Sequence, residues 1–211
     1  MFKKIPKNLL KILKVVIVFI LIAIGIIISF EKDKVNKNNF QNLEKLIITK
    51  IVDGDTVEAK IKNKKIKIRL YGVDTPETLK QNNKNKLAKY ENYYANLAKE
   101  MLYQKILNQD HFYYKHIDND EYGRDVGLIY KQNLDENIFS DTLNSFLVEN
   151  GLARVAYIQN SNIKQKYYTK NKFQNDFYNY IIGLEEKTKV EEKGFWGLDL
   201  EEVFYKYKKM V

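Results

Sequence analysis

"KKIKIRLYGVDTPET", Lys64 to Thr78, is the stretch on which the fold turns. Its first half alternates lysines with Ile66, Ile68 and Leu70, the two-residue period of a strand with one face in a core and the other in water. Its second half breaks that period with Pro76, one of only two prolines in 211 residues. Proline fixes its own backbone and pushes the residue before it toward extended geometry. Asp74 and Glu77 are therefore predicted to stand in a stiff turn at the end of a strand.

Working outward, "LEKLIITKIVDGDTVEAKI" contains two β-branched runs broken by Asp53-Gly54-Asp55, which predicts two more strands joined by a turn. Three short strands in succession suggest a meander or small barrel. "LAKYENYYANLAKEMLYQKIL" predicts a helix with Tyr94, Leu97 and Met101 on one stripe. "HFYYKHI" and "RDVGLIYK" read as strands. "SDTLNSFLVENG" reads as a helix with Ser140 or Asp141 as N-cap and Gly151 as C-cap. "LARVAYI" is a last strand, and a longer helix covers much of Phe173 to Glu192. Trp196 in "KGFWG" reads as a plug for the core. The predicted class is α+β, a five-stranded barrel of the oligonucleotide-binding type (OB-fold) with three helices.

The first thirty residues differ in kind. Lys3, Lys4, Lys7, Lys11 and Lys14 precede "VVIVFILIAIGIIISF", Val15 to Phe30, which carries no charge. At about 1.5 Å per residue such a run approaches the roughly 30 Å of a hydrocarbon core. The lysine excess on its N-terminal side predicts a cytoplasmic N-terminus and the remainder outside. No small-x-small cleavage site follows the run, which favours an uncleaved single-pass anchor in the cell membrane over a signal peptide and secretion. The expected organisation is an anchor over 1–30, a polar spacer over 31–42 and one domain over 43–211. The five lysines also account for much of the formal charge of +9, leaving +4 on residues 31–211. So mild an excess does not by itself identify a nucleic-acid partner.

Composition excludes several chemistries. Without cysteine there is no thiol nucleophile, zinc ribbon or disulfide framework. The two histidines, His111 and His116, fall on opposite faces if their run is a strand. Hydrolytic chemistry would have to rest on carboxylates and arginines. Two acidic turns, Asp53/Asp55 and Asp74/Glu77, each end a strand and can converge on one ion; the plainer alternative is a tight turn with solvated acids. A set of carboxylates, a carbonyl and water suits Ca²⁺ better than Zn²⁺ and leaves Mg²⁺ or Mn²⁺ open. Of 36 basic residues only Arg69, Arg124 and Arg154 are arginine. Where a lysine-rich chain keeps arginine, either a planar fork for phosphate or a surface ion pair explains it.

"IVDGDTV", "IRLYGVDTPET", "DEYGRDVGLIY", "ENGLARVAY" and "EEKGFWG" stand in the order and approximate spacing of the staphylococcal nuclease (thermonuclease) family, from about Ile47 to Trp196. The sequence resembles that family. The resemblance implies a Ca²⁺-dependent endonuclease that hydrolyses DNA and RNA to 3′-phosphate products. It implies calcium held by Asp55, Asp74 and the main-chain carbonyl of Thr75, with Asp53 behind them. Glu77 would be the general base, Arg69 and Arg124 the phosphate clamp, and Tyr122 and Tyr157 the nucleotide contacts. Two residues after Tyr157, where the family often places a second stacking aromatic, stands Gln159. The "YIQNSNIKQKYYTKNKF" segment that follows is expected to be a solvated loop with core-facing tyrosines. Arg154 is expected to be structural. No protein partner is implied, and the chain is expected to be monomeric. The competing readings are a non-catalytic nucleic-acid-binding module on the same barrel and, last, a different metal nuclease built around Glu58-x-Lys60.

Overall fold

The structure is a computed structural model and describes residues 14, 16–27, 43–81, 86–131 and 139–205. The chain separates into two compact units, Met1–Gln41 and Asn42–Val211. In the first, residues 14 and 16–27 are helical and exposed. Among the described residues no helix is long and apolar enough to cross a membrane. The anchor expected over 1–30 is therefore not shown, and both ends of that segment lie outside the described residues, as does the spacer over 31–42.

In the second unit, β1 (Glu44–Asp53), β2 (Thr56–Ile61), β3 (Lys64–Leu70), β5 (Phe112–Asn119) and β6 (Asp125–Tyr130) close a barrel in the order β1-β2-β3-β6-β5. The β3–β6 pair is parallel and sets Arg69 opposite Val126; the other pairs are antiparallel. The alternation read from the sequence holds: Val57, Ala59, Ile68 and Leu70 point inward and are buried, while Lys60, Lys65 and Lys67 are exposed. β4 (Val73–Asp74) and β7 (Arg154–Val155) form a separate two-residue antiparallel ribbon. The strand expected at "LARVAYI" thus shrinks to two residues outside the barrel, because its partner is the Val-Asp of the acidic turn.

Three helices flank the barrel: α1 (Glu91–Ile106), α2 (Leu143–Glu149) and α3 (Lys172–Val190). The buried stripe of α1 is Ala95, Ala98 and Leu102 rather than Tyr94, Leu97 and Met101, since small alanines let the helix sit close to its neighbours. The N-cap of α2 is Thr142, whose hydroxyl accepts from the Ser145 amide, and neither Ser140 nor Asp141 serves. Its C-cap is Asn150, and Gly151 follows with φ +62°. Asn144, fully buried on α2, donates to the carbonyls of Tyr71 and Gly127 and accepts from the Ile129 amide, so one side chain ties this short helix to β6 and to the turn that follows β3. The C-terminal plug is Phe195, completely buried with Val203 and Phe204, while Trp196 packs half-buried against that cluster.

Candidate active site

The two acidic turns meet because a glycine lets them. Asp53 ends β1 and Asp55 precedes β2, and a Cβ on the intervening Gly54 would lie 2.6 Å from the Thr75 hydroxyl and 3.0 Å from the Ala98 methyl. The turn of one hairpin is thereby pressed on the turn that follows β4. The Asp55 carbonyl accepts from the Leu70 amide at 2.8 Å, and the Thr75 amide donates to the Asp55 carboxylate at 3.3 Å. Thr75, Pro76 and Thr78 are buried, and Glu77 is exposed between them. The stiff turn expected around Pro76 thus presents its acids in alternate directions.

Arg69, at the end of β3, holds both aspartates. Its guanidinium donates to Asp55 at 3.1 and 3.0 Å and to Asp74 at 3.1 Å. Arg154, facing Asp74 across the β4–β7 ribbon, donates to the other Asp74 oxygen through Nε at 3.0 Å and a terminal nitrogen at 2.8 Å. Burial is the main force on Asp55 and pushes its carboxyl up to about 6; Arg69 opposes this and the Asp74 charge adds to it. Burial works against the charge on Arg69, but Asp55 and Asp74 outweigh it and raise its pKa.

Glu77 is not part of this cluster of side-chain bonds. Its carboxylate pairs with Lys80 at 3.2 Å, and Lys80 also reaches Asp53 at 2.7 Å. Asp53 in turn accepts from the Thr78 hydroxyl at 3.3 Å and the Gly54 amide at 3.2 Å. Lys80 and Arg154 are the residues whose links to the acids sequence reasoning missed. Lys80 carried a usable signal, since it lies three residues beyond Glu77. Arg154 carried none, because its partner is 80 positions away.

Tyr157 stands beside the cluster, with the Arg69 guanidinium 4.9 Å from its ring centre. Tyr167 packs edge-on against Tyr157 with ring centres 5.2 Å apart, and both rings remain substantially exposed. The second aromatic at this corner therefore comes from the long loop, and Tyr167 is not core-facing as expected. Gln159 instead folds that loop: its side-chain oxygen accepts from the Ser161 and Asn162 amides, and its nitrogen donates to the Asn162 carbonyl. Lys166 pairs with Glu121 and Lys170 with Asp118, tying the loop to the β5–β6 turn. That turn carries Tyr122, which is 77% exposed, and Arg124, whose guanidinium lies 5.5 Å from the Tyr122 ring centre. Arg124 is bonded by the Asp120 carboxylate rather than by the Asp55–Asp74 cluster. The structure joins Asp55, Asp74, Thr75, Arg69 and Tyr157 directly. It brings Tyr122 and Arg124 to a neighbouring turn and leaves Glu77 on the exposed side.

Hard cations take several oxygen ligands. Among the described residues no group of three or more acidic or histidine side chains is arranged to hold a metal. The donors present are two carboxylates, set side by side by one guanidinium. They suit a hard cation in kind: the burial that raises Asp55 is relieved by any positive charge brought to it, and main-chain oxygen and water would have to complete the shell.

Residues 67–197 match the family described as staphylococcal nuclease homologue. The match begins inside β3, so Asp53 and Asp55 stand just ahead of it. Among curated proteins, the chain is 30% identical over 169 residues to an uncharacterized protein of Methanocaldococcus jannaschii, covering 71% of this chain and 70% of that one. It is 29% identical over 129 residues to endonuclease YncB of Bacillus subtilis, covering 61% of this chain and 56% of that protein.

Proposed function

This chain belongs to the staphylococcal nuclease homologues, and from that premise we propose that it is a Ca²⁺-dependent phosphodiesterase that cuts DNA and RNA strands and leaves a 3′-phosphate. The observation that carries the reading is the pair Asp55 and Asp74, held on one guanidinium that also faces an exposed tyrosine pair. The name of the Bacillus relative supports the same reaction class.

Asp55, Asp74 and the Thr75 carbonyl would hold the calcium ion, which supplies positive charge beside the phosphoryl oxygens when bound. Glu77, exposed on the same turn as Thr75, takes a proton from the attacking water. The water oxygen forms its bond to phosphorus as the bond to the 5′-oxygen breaks; that oxygen takes a proton from solvent, and Glu77 returns the proton it accepted to solvent. Arg69 and Arg124 donate N–H groups to oxygens whose negative charge grows toward the transition state. Arg69 engages both terminal nitrogens with Asp55 and Asp74 and so exchanges an aspartate for a phosphate there when substrate binds, whereas Arg124 is bonded to Asp120 through Nε. Tyr157, Tyr167 and Tyr122 offer ring faces to the nucleotide.

The test is to incubate the full chain with single-stranded DNA and calcium, then with chelator, and to identify the end that carries the phosphate. Products ending in 3′-phosphate that vanish on chelation are expected. Strands ending in 5′-phosphate would overturn the assignment. The pairing of Glu77 with Lys80, away from Asp55 and Asp74, favours one alternative, a module that binds strands without cutting them. Strands bound but intact in calcium would select it. The apolar run preceded by lysines supports a further proposal, that the nuclease is tethered to the cell membrane and faces outward. Recovery of the protein in the membrane fraction, open to added protease on intact cells, is the result expected.

A further inference from the structure

We propose that the outward face of β2 and β3 is a track for the sugar–phosphate backbone of a single strand, leading to Arg69. The inference rests on the nuclease reading and extends it to the part of the substrate beyond the bond that breaks. Lys65, Lys67 and Arg69 occupy alternate positions of β3 and so share one face. Successive members stand about 7 Å apart, a repeat comparable with one extended nucleotide. Across the ladder, Lys60 sits opposite Lys65, Glu58 opposite Lys67 and Thr56 opposite Arg69; Lys50 on β1 sits opposite Glu58. Together Lys50, Glu58, Lys60, Lys65 and Lys67 line a surface groove of about 530 Å³. Four lysines against one glutamate leave it strongly positive.

Two features favour a backbone over other anions. Like charges placed directly opposite each other in a ladder destabilise it, and the Lys60–Lys65 pair has that arrangement. Among the described residues none forms an ion pair with Lys50, Lys60, Lys65 or Lys67, so no carboxylate bonded among them offsets the repulsion. No aromatic side chain lines the groove, which gives bases nothing to stack on and leaves phosphate charge as what is recognised. The row begins at the candidate clamp, so a strand held by Arg69 is already aligned with it. The track therefore favours long strands over short ones without regard to base sequence.

The test compares the full chain with Lys60→Gln/Lys65→Gln/Lys67→Gln and with Lys172→Gln/Lys187→Gln/Lys193→Gln, which removes equal charge elsewhere. Binding of a fluorescent oligothymidylate in chelator is measured against salt, and kcat/KM in calcium is measured for the same strand and for a chromogenic thymidine phosphodiester too short to reach the groove. In the first variant we expect the slope of log affinity against log salt to flatten by about two, affinity at moderate salt to fall about tenfold, and the preference for the long substrate to fall in parallel. The control is expected to keep the wild-type values. Equal behaviour of the two variants, or wild-type values in both, would overturn the track. A wild-type chain that cuts neither substrate would instead overturn the nuclease reading, and the binding arm would still judge the track.

Discussion

Asp55 shows at one residue how a site conflicts with the stability of its fold. A carboxyl whose pKa is raised from 3.8 to about 6 on folding binds its proton more tightly in the native state than in the unfolded one. Stability contributed by this group is therefore present below about pH 4 and lost as pH rises through 6. Asp55→Asn is expected to stabilise the metal-free protein at pH 7 by about 2 kcal/mol and to make little difference at pH 4, read from urea unfolding in chelator at the two pH values. The same change should abolish calcium-dependent cleavage. Pro76, buried between the exposed Glu77 and the pinned Asp74, is the second test at this scale. Pro76→Gly is expected to lower turnover more than calcium affinity, because it loosens the exposed Glu77, paired with Lys80, while Asp74 stays bonded to two arginines. Equal loss of both, with the fold intact, would contradict this.

The decisive element is the smallest. The β4–β7 ribbon has two residues on each side, yet it sets Asp74 across from Arg154 and so fixes a candidate ligand from a segment 80 positions away. Without Arg154 the largely buried Asp74 keeps only Arg69 of its two guanidinium partners, and Arg69 is shared with Asp55, so Arg154→Leu should lower stability by about 2 kcal/mol, measured by urea unfolding. The loop after β7 works similarly through Gln159, which folds it back and lets Tyr167 meet Tyr157. Tyr167→Ala is expected to weaken oligonucleotide binding by about 1 to 2 kcal/mol, in an anisotropy titration, with thermal unfolding nearly unchanged because the ring is exposed.

For the barrel unit as a whole, the docking of its C-terminal turn against the end of α2 depends on two glycines in contact. Gly151 follows α2 with φ +62° and Gly194 opens the C-terminal turn with φ +64°; a Cβ on the first would lie 1.9 Å from the Lys193 carbonyl oxygen, and on the second 2.1 Å from that of Gly151. The Phe195 amide donates to the Gly151 carbonyl at 3.0 Å, which seats Phe195 in its cluster. Gly151→Ala combines a backbone clash with a left-handed conformation and is expected to destabilise by more than about 2 kcal/mol. The fluorescence of the single tryptophan, Trp196, which packs on Phe195, reports that loss directly.

The strands of the barrel were legible in the amino-acid sequence, and so were most of the residues proposed for the site. Lysine alternation marked β3 and the Asp-Gly-Asp break marked the first hairpin, while the resemblance to the nuclease family pointed to Asp55, Asp74, Arg69 and Tyr157 together. These are local signals: a two-residue period, a turn glycine and a proline act on the chain within a few residues of themselves. Which charge meets which was settled by the folding together of distant segments. Arg154 on Asp74, Lys80 between Asp53 and Glu77, Arg124 on Asp120 and Tyr167 against Tyr157 follow from how separate segments are brought together. So do Ala95, Ala98 and Leu102 as the buried stripe of α1, and Phe195 rather than Trp196 as the plug. Contacts of this kind depend on distances between segments that no short-range pattern encodes, and the ordering of carboxylates around guanidiniums follows from burial, which exists only once the barrel has closed.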